Sequence, residues 1–161
     1  MRKTFLLLLI ITGFAINVQA QGIADNALGI RIGDSDGFGT EINYQRALNE
    51  NNRLEFGVGW NSGKNVDAYK LTALYQWVFV LDGNFNWYVG AGGGVGQIDF
   101  SSSFPGNPDN ETFFFAAGDI GIEYDFDIPL LISVDFRPEL GFGDFKDDLD
   151  FDIAFGLRYQ F

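Results

Sequence analysis

A chain of 161 residues carrying 22 acidic and 10 basic side chains, with no cysteine and no histidine, closes off several functions at once. Its net charge of −12 denies it the basic face that a nucleic-acid partner demands, and the missing cysteine rules out a disulfide scaffold or a lipidated thiol. Eighteen phenylalanines need a large surface out of water, so disorder does not fit and a single folded domain does.

The first twenty residues read as a secretory signal peptide. Arg2 and Lys3 precede the apolar run Phe5 to Ile16, and Val18-Gln19-Ala20 offers a small-residue cleavage site. Twelve residues are too few for a spanning helix, which needs about 20. The mature chain is expected to start at Gln21. Residues 21–161 then form one domain with eight basic and 22 acidic residues, a net charge of −14.

From there the sequence alternates. Runs with a period of two cover 27–34, 39–48, 53–61, 67–81, 85–100, 112–126, 130–142 and 149–161. Turn signals separate them: Asp36-Gly37, Asn49 to Asn52, Asn61-Ser62-Gly63, Asp82-Gly83-Asn84, Asp127 to Pro129 and Gly143-Asp144. The fifth run contains GAGGGVG, Gly90 to Gly96. A dinucleotide fingerprint needs glycine at i, i+2 and i+5, and Val95 and Gln97 stand in the third slot. Gly90, Gly92, Gly94 and Gly96 instead share one face of a strand. The phase slips near Gln97-Ile98, which predicts a bulge. Pro138 removes a ladder donor and predicts a bulge or a position near a rim. The last run is unbroken: Leu149, Phe151, Ile153, Phe155, Leu157, Tyr159 and Phe161 on one face, polar or small residues on the other.

Eight hairpin-linked strands predict an all-β fold, an eight-stranded antiparallel up-and-down transmembrane β-barrel. Orientation follows from volume. A barrel of eight strands has an interior that side chains just fill, and about two dozen large apolar residues would overfill it. The apolar faces should therefore meet lipid. The inner faces should carry Arg31, Arg53, Lys70, Arg137 and Arg158 with Glu41, Glu55, Asp119, Glu123, Asp135, Glu139 and Asp152, as an interior ion network. The glycines form a bare interior wall that leaves room for these long side chains. A tight turn at Asp127 to Pro129 puts Asp119 opposite Arg137 as one pair. Trp60 and Tyr69 fall near one rim; Trp77, Phe79, Phe85, Trp87, Tyr124, Phe126, Tyr159 and Phe161 fall near the other, as interfacial aromatics do.

The mature chain resembles the small eight-stranded outer-membrane barrels of Gram-negative bacteria, of the OmpX/OmpA-barrel type. The ending FDIAFGLRYQF carries the resemblance most specifically, and Gly121 to Tyr124 with Leu131 to Pro138 resembles a stretch of small Bacteroidota barrels. The resemblance implies an outer-membrane location, contact with outer-membrane lipids and lipopolysaccharide, and a C-terminal assembly signal at Leu157, Tyr159 and Phe161 read by the barrel-assembly machinery. The short connections, of which only 101–111 has any length, argue against an adhesin role borrowed from long-looped relatives.

No enzyme is expected. Hydrolytic barrels lean on histidine as base, so Ser101, Ser102 and Ser103 lack an activating partner. No cofactor or metal site is expected either: Asp144, Asp147, Asp148 and Asp150, and Asp34 to Gly37, could hold Ca²⁺ or Mg²⁺ loosely, but neither matches the calcium loop. The expected function is a plugged membrane barrel with a structural or interaction role at the cell surface. The alternatives are a narrow channel for ions or small solutes and a soluble lipocalin-like ligand carrier.

Overall fold

A computed structural model describes residues 23–33, 39–63, 66–100, 110–142 and 148–161. The expected signal peptide, Asp34 to Gly37, Ser101 to Ser103, Asp144 and Asp147 lie outside the described residues.

Eight strands follow one another: β1 (Asn26–Gly33), β2 (Thr40–Asn49), β3 (Asn52–Ser62), β4 (Val66–Asp82), β5 (Phe85–Phe100), β6 (Glu111–Asp125), β7 (Leu130–Phe142) and β8 (Leu149–Gln160). Each pairs antiparallel with its neighbour in sequence, and β1 pairs with β8 from Ala27↔Gln160 to Gly33↔Ala154, so the sheet closes into a barrel. Closure leaves no edge strand to satisfy. The expected strand limits agree with these to within a residue or so.

The two ends differ. At one end β2–β3, β4–β5 and β6–β7 are joined by short turns, and Phe161 is tied to β1 there through its backbone N, which donates to the Asn26 carbonyl at 2.9 Å. The β4–β5 turn places Gly83 at φ 55°, a left-handed conformation that glycine adopts without steric cost.

The expected bulge at Gln97-Ile98 is absent. Pairing with β4 runs in register through Lys70↔Gly96, Tyr69↔Gln97 and Ala68↔Ile98, and the shifts occur at Val80/Asp82 and, between β2 and β3, at Ala47/Asn49. Ile98 simply packs inward against an apolar cluster of Ala68, Leu74, Phe113, Phe115 and Ala117; an apolar residue on the inner face imitates a phase change. Pro138 causes no bulge either. It sits opposite Phe151 on β8, and the β6–β7 register is the same on both sides of it, from Ala117↔Glu139 to Ile120↔Phe136.

Orientation separates the two barrel architectures. Ile132 and Leu157 face away from the axis, as do Val134 at 48% exposure and Phe155 at 46%, while Arg137 and Arg158 are each 1% exposed. A soluble lipocalin-type carrier needs the reverse, so that alternative is set aside. Aromatic rings gather on the outer face at the short-turn end: Phe79 stacks on Trp87 at 4.6 Å, and Phe85 meets Tyr124 at 4.7 Å. Trp60 lies opposite Tyr69 toward the other end.

Candidate functional site: a buried ionic lumen

Alternation turns every second residue of each strand inward, and the barrel brings those residues within reach across the lumen. Five basic and seven acidic side chains are buried there: Arg31, Arg53, Lys70, Arg137 and Arg158 with Glu41, Glu55, Asp119, Glu123, Asp135, Glu139 and Asp152. These are the twelve residues that the period of two places on the inner faces.

Their partners are specific. Arg31 on β1 donates from Nε to Asp135 Oδ1 at 2.9 Å and from Nη1 to Asp152 Oδ2 at 2.5 Å. Arg137 on β7 donates to Glu41 at 3.1 Å and to Glu55 at 2.8 Å. Arg158 on β8 donates to Glu55 at 3.2 Å, Asn43 at 3.1 Å and the Ser133 hydroxyl at 2.7 Å. Glu55 therefore bridges two guanidinium groups, and it also accepts from Gln45 Nε2 at 2.6 Å. Lys70 Nζ donates to Glu139 at 2.9 Å and lies 3.4 Å from Glu41. Arg53 grips Glu123 with both terminal nitrogens, at 3.1 and 2.7 Å, and its guanidinium lies 4.9 Å from the Tyr88 ring centre. A charge in so dry a place costs several kcal/mol unless it is paired and hydrogen-bonded, which is why the network is dense.

One expected pair stops short of contact: Asp119 and Arg137 feel each other's charge but share no hydrogen bond. The flanking pairs Ala117↔Glu139 and Ile120↔Phe136 put Asp119 opposite Arg137, yet Arg137 turns across the lumen to Glu41 and Glu55. A guanidinium with several donors gains more from two carboxylates than from one. Asp119 instead accepts from the Gln76 side-chain amide. Gln76 also accepts from Arg53 Nε at 2.6 Å, which joins Asp119 to the network through a neutral link.

The glycine wall has a different neighbour from the expected one. A Cβ at Gly94 would strike the Leu71 carbonyl on β4 and lie 2.5 Å from the tip of the Phe115 ring, and one at Gly96 would collide with the Phe113 ring. One at Gly90 would meet Gln76 at 2.9 Å and Asp119 at 3.4 Å, and one at Gly92 would strike the β4 backbone at Ala73 and Leu74. Bare backbone here lets the β4 main chain approach at Gly92 and Gly94 and makes room for the rings at Gly94 and Gly96, and not for arginines. Phe113 and Phe115 are 2% and 3% exposed, and the Lys70 ammonium sits 5.5 Å from the Phe115 ring centre. The barrel filling thus has an ionic part and an apolar part. Their phase in the run 112–126, on the same face as Asp119 and Glu123, is the signal that could have placed these two rings inside.

The lumen narrows at the short-turn end. A mouth cavity of about 430 Å³, lined by Asp25, Asp125, Phe126, Asp127, Gln160 and Phe161 among others, opens to solvent. Beneath it a crevice of about 10 Å³ reaches Arg53 and Glu123, at the lower limit for one water molecule. Of the acidic residues considered for cation binding, Asp148 is exposed and Asp150 half-buried. Among the described residues no three His, Cys, Asp or Glu side chains are grouped to hold a metal ion.

Solved structures similar to this chain include small outer-membrane barrels. The N-terminal β-barrel domain of Pseudomonas aeruginosa OprF superposes with a TM-score of 0.65 at 14% identity, over 88% of this chain and 100% of that one. The fold is that of the small outer-membrane barrels. Neisserial surface protein A matches with a TM-score of 0.58 at 14% identity, over 84% of this chain and 94% of that one. Ail, the attachment invasion locus protein of Yersinia pestis, matches with a TM-score of 0.58 at 16% identity, over 88% and 99%. No family model and no curated protein matches the sequence. Identities this low speak for the fold and leave role and ligands to this chain's own residues.

Proposed function

We propose that the chain is an integral outer-membrane barrel, exported through a signal peptide cleaved after Ala20, that serves a structural or interaction role at the cell surface and does not conduct. The observation that carries this reading is the filling of the lumen: Arg137 spans it to Glu41 and Glu55 while Phe113 and Phe115 pack against β5. Such a barrel presents its strands to lipid and its longer connections to the outside. Its partners in this reading are outer-membrane lipids and lipopolysaccharide, together with the assembly machinery that would engage Leu157, Tyr159 and Phe161 during insertion. No catalytic step is assigned to it.

Planar-bilayer recording tests the plug: the purified barrel should give no steady unitary current, whereas reproducible conductance steps would establish the narrow-channel alternative. Cell fractionation with boiled and unboiled gel samples tests location, with a heat-modifiable band expected in the outer-membrane fraction. N-terminal sequencing of the exported protein tests cleavage at Gln21.

A further inference from the structure

Six basic side chains fall within the described residues. Five are buried in the lumen, and Arg46 is the exposed one. It belongs to the outward face of β2, with Ile42 and Leu48, near the short-turn end. Strand pairing sets it beside Asn26 on β1 and Leu54 on β3, and Leu54 lies beside Tyr75, whose ring meets Trp77 edge-on at 4.8 Å.

The guanidinium is held in place. Arg46 Nη1 donates to Asn26 Oδ1 at 2.8 Å, and the Tyr44 hydroxyl donates to the same oxygen at 2.7 Å. Asn26 Nδ2 in turn donates to the Phe161 carbonyl at 3.2 Å. This fixes one of the five N–H donors of the arginine and leaves four for a ligand. Below it runs an apolar strip of exposed Leu28, Ile30 and Ile42. A fixed guanidinium above a greasy strip, level with aromatic rings, suits a phosphate ester attached to acyl chains.

Of the acids on this rim, two flank the strand ends that carry Asn26 and Arg46. Asp25 is bound to the adjacent residue through its carbonyl, which accepts from Ala47 N at 2.9 Å, and Glu50 begins the β2–β3 turn; both are exposed. Their field weakens the hold on a plainly anionic headgroup and favours one that carries an ammonium beside its phosphate.

We infer that Arg46, Asn26 and Tyr44 form a headgroup site for a zwitterionic glycerophospholipid bearing a primary ammonium. The phosphate sits on Arg46, the ammonium lies toward Asp25 and Glu50, and the acyl chains follow Leu28, Ile30 and Ile42. This rests on the membrane reading above. The short turns of such barrels face the periplasm, so the lipid comes from that leaflet and is not lipopolysaccharide.

Native mass spectrometry of the detergent-solubilised barrel, offered equal amounts of phosphatidylethanolamine, phosphatidylglycerol and phosphatidylcholine, tests the site. Retention of phosphatidylethanolamine should exceed that of either competitor by about threefold, the scale of one exposed ion pair. Arg46→Gln should abolish the preference, and Arg46→Lys, which keeps the charge without the fork, should keep part of it. Asp25→Asn with Glu50→Gln should turn the preference toward phosphatidylglycerol. Equal retention of the three lipids by the native barrel, or an unchanged preference in Arg46→Gln, overturns the site. Gel heat-modifiability of the same samples reports the folded barrel separately, so that result leaves the membrane reading standing; a protein recovered in the soluble fraction would sink both.

Discussion

Arg137 on β7 and Glu55 on β3 stand four strands apart in a ring of eight, and they meet across the lumen at 2.8 Å. Glu55 holds Arg158 with its other oxygen at 3.2 Å, so one carboxylate ties the opposite wall of the barrel at two points. Ion pairing and barrel shape are thereby coupled.

Removing that charge should be expensive. Glu55→Gln leaves two buried guanidinium groups short of an anion, and a broken buried pair typically costs about 3–5 kcal/mol. Urea titration of the barrel folded in phospholipid vesicles should show a loss of this size, and Arg137→Gln a similar one. The double variant should lose clearly less than the two singles together. Strict additivity would mean that the contact carries no energy.

A methyl group on the glycine face should act through an aromatic ring. Gly96→Ala forces its Cβ into the Phe113 ring, and overpacking of this kind costs about 1–3 kcal/mol. Phe113→Leu in the same chain should recover part of the loss, because it withdraws the ring tip. A Gly96→Ala barrel as stable as the native one would show that the ring has space to move.

The outward face can be probed with a charge. Val134 is 48% exposed and faces outward midway along β7, paired with Phe155. Val134→Arg should destabilise the barrel in vesicles by about 2–4 kcal/mol, as cations do at the bilayer midplane of such folds. Val134→Ala serves as the control for lost apolar contact. If both substitutions cost the same small amount, that face does not meet hydrocarbon.

Salt should matter little to the lumen. Ions screen exposed pairs over about 10 Å at 0.1 M and 3 Å at 1 M, but reach buried pairs poorly. The side chains of Arg31 and Asp135 are each 1% exposed. Unfolding midpoints in vesicles should therefore move little between these two salt concentrations. A steep fall would place the network in contact with bulk water.

Read along the chain, the alternation of Leu149 to Phe161 sets strand type, strand limits and the two faces, because side chains on a strand must point to opposite sides. Lumen volume then decides which face turns inward: eight strands cannot enclose Phe155, Leu157, Ile132, Val134 and their like. The twelve buried charges were legible for that reason. Their partners were not. Arg31 meets Asp135 and Asp152 across 104 and 121 residues of chain, and Arg137 passes over its register neighbour Asp119 for Glu41 and Glu55. Such choices depend on barrel closure, which brings far walls within one side-chain length. The phase that Phe113 and Phe115 share with Asp119 and Glu123 labels their face as inner, but what they pack against was hidden: only the three-dimensional fit sets those rings over Gly94 and Gly96.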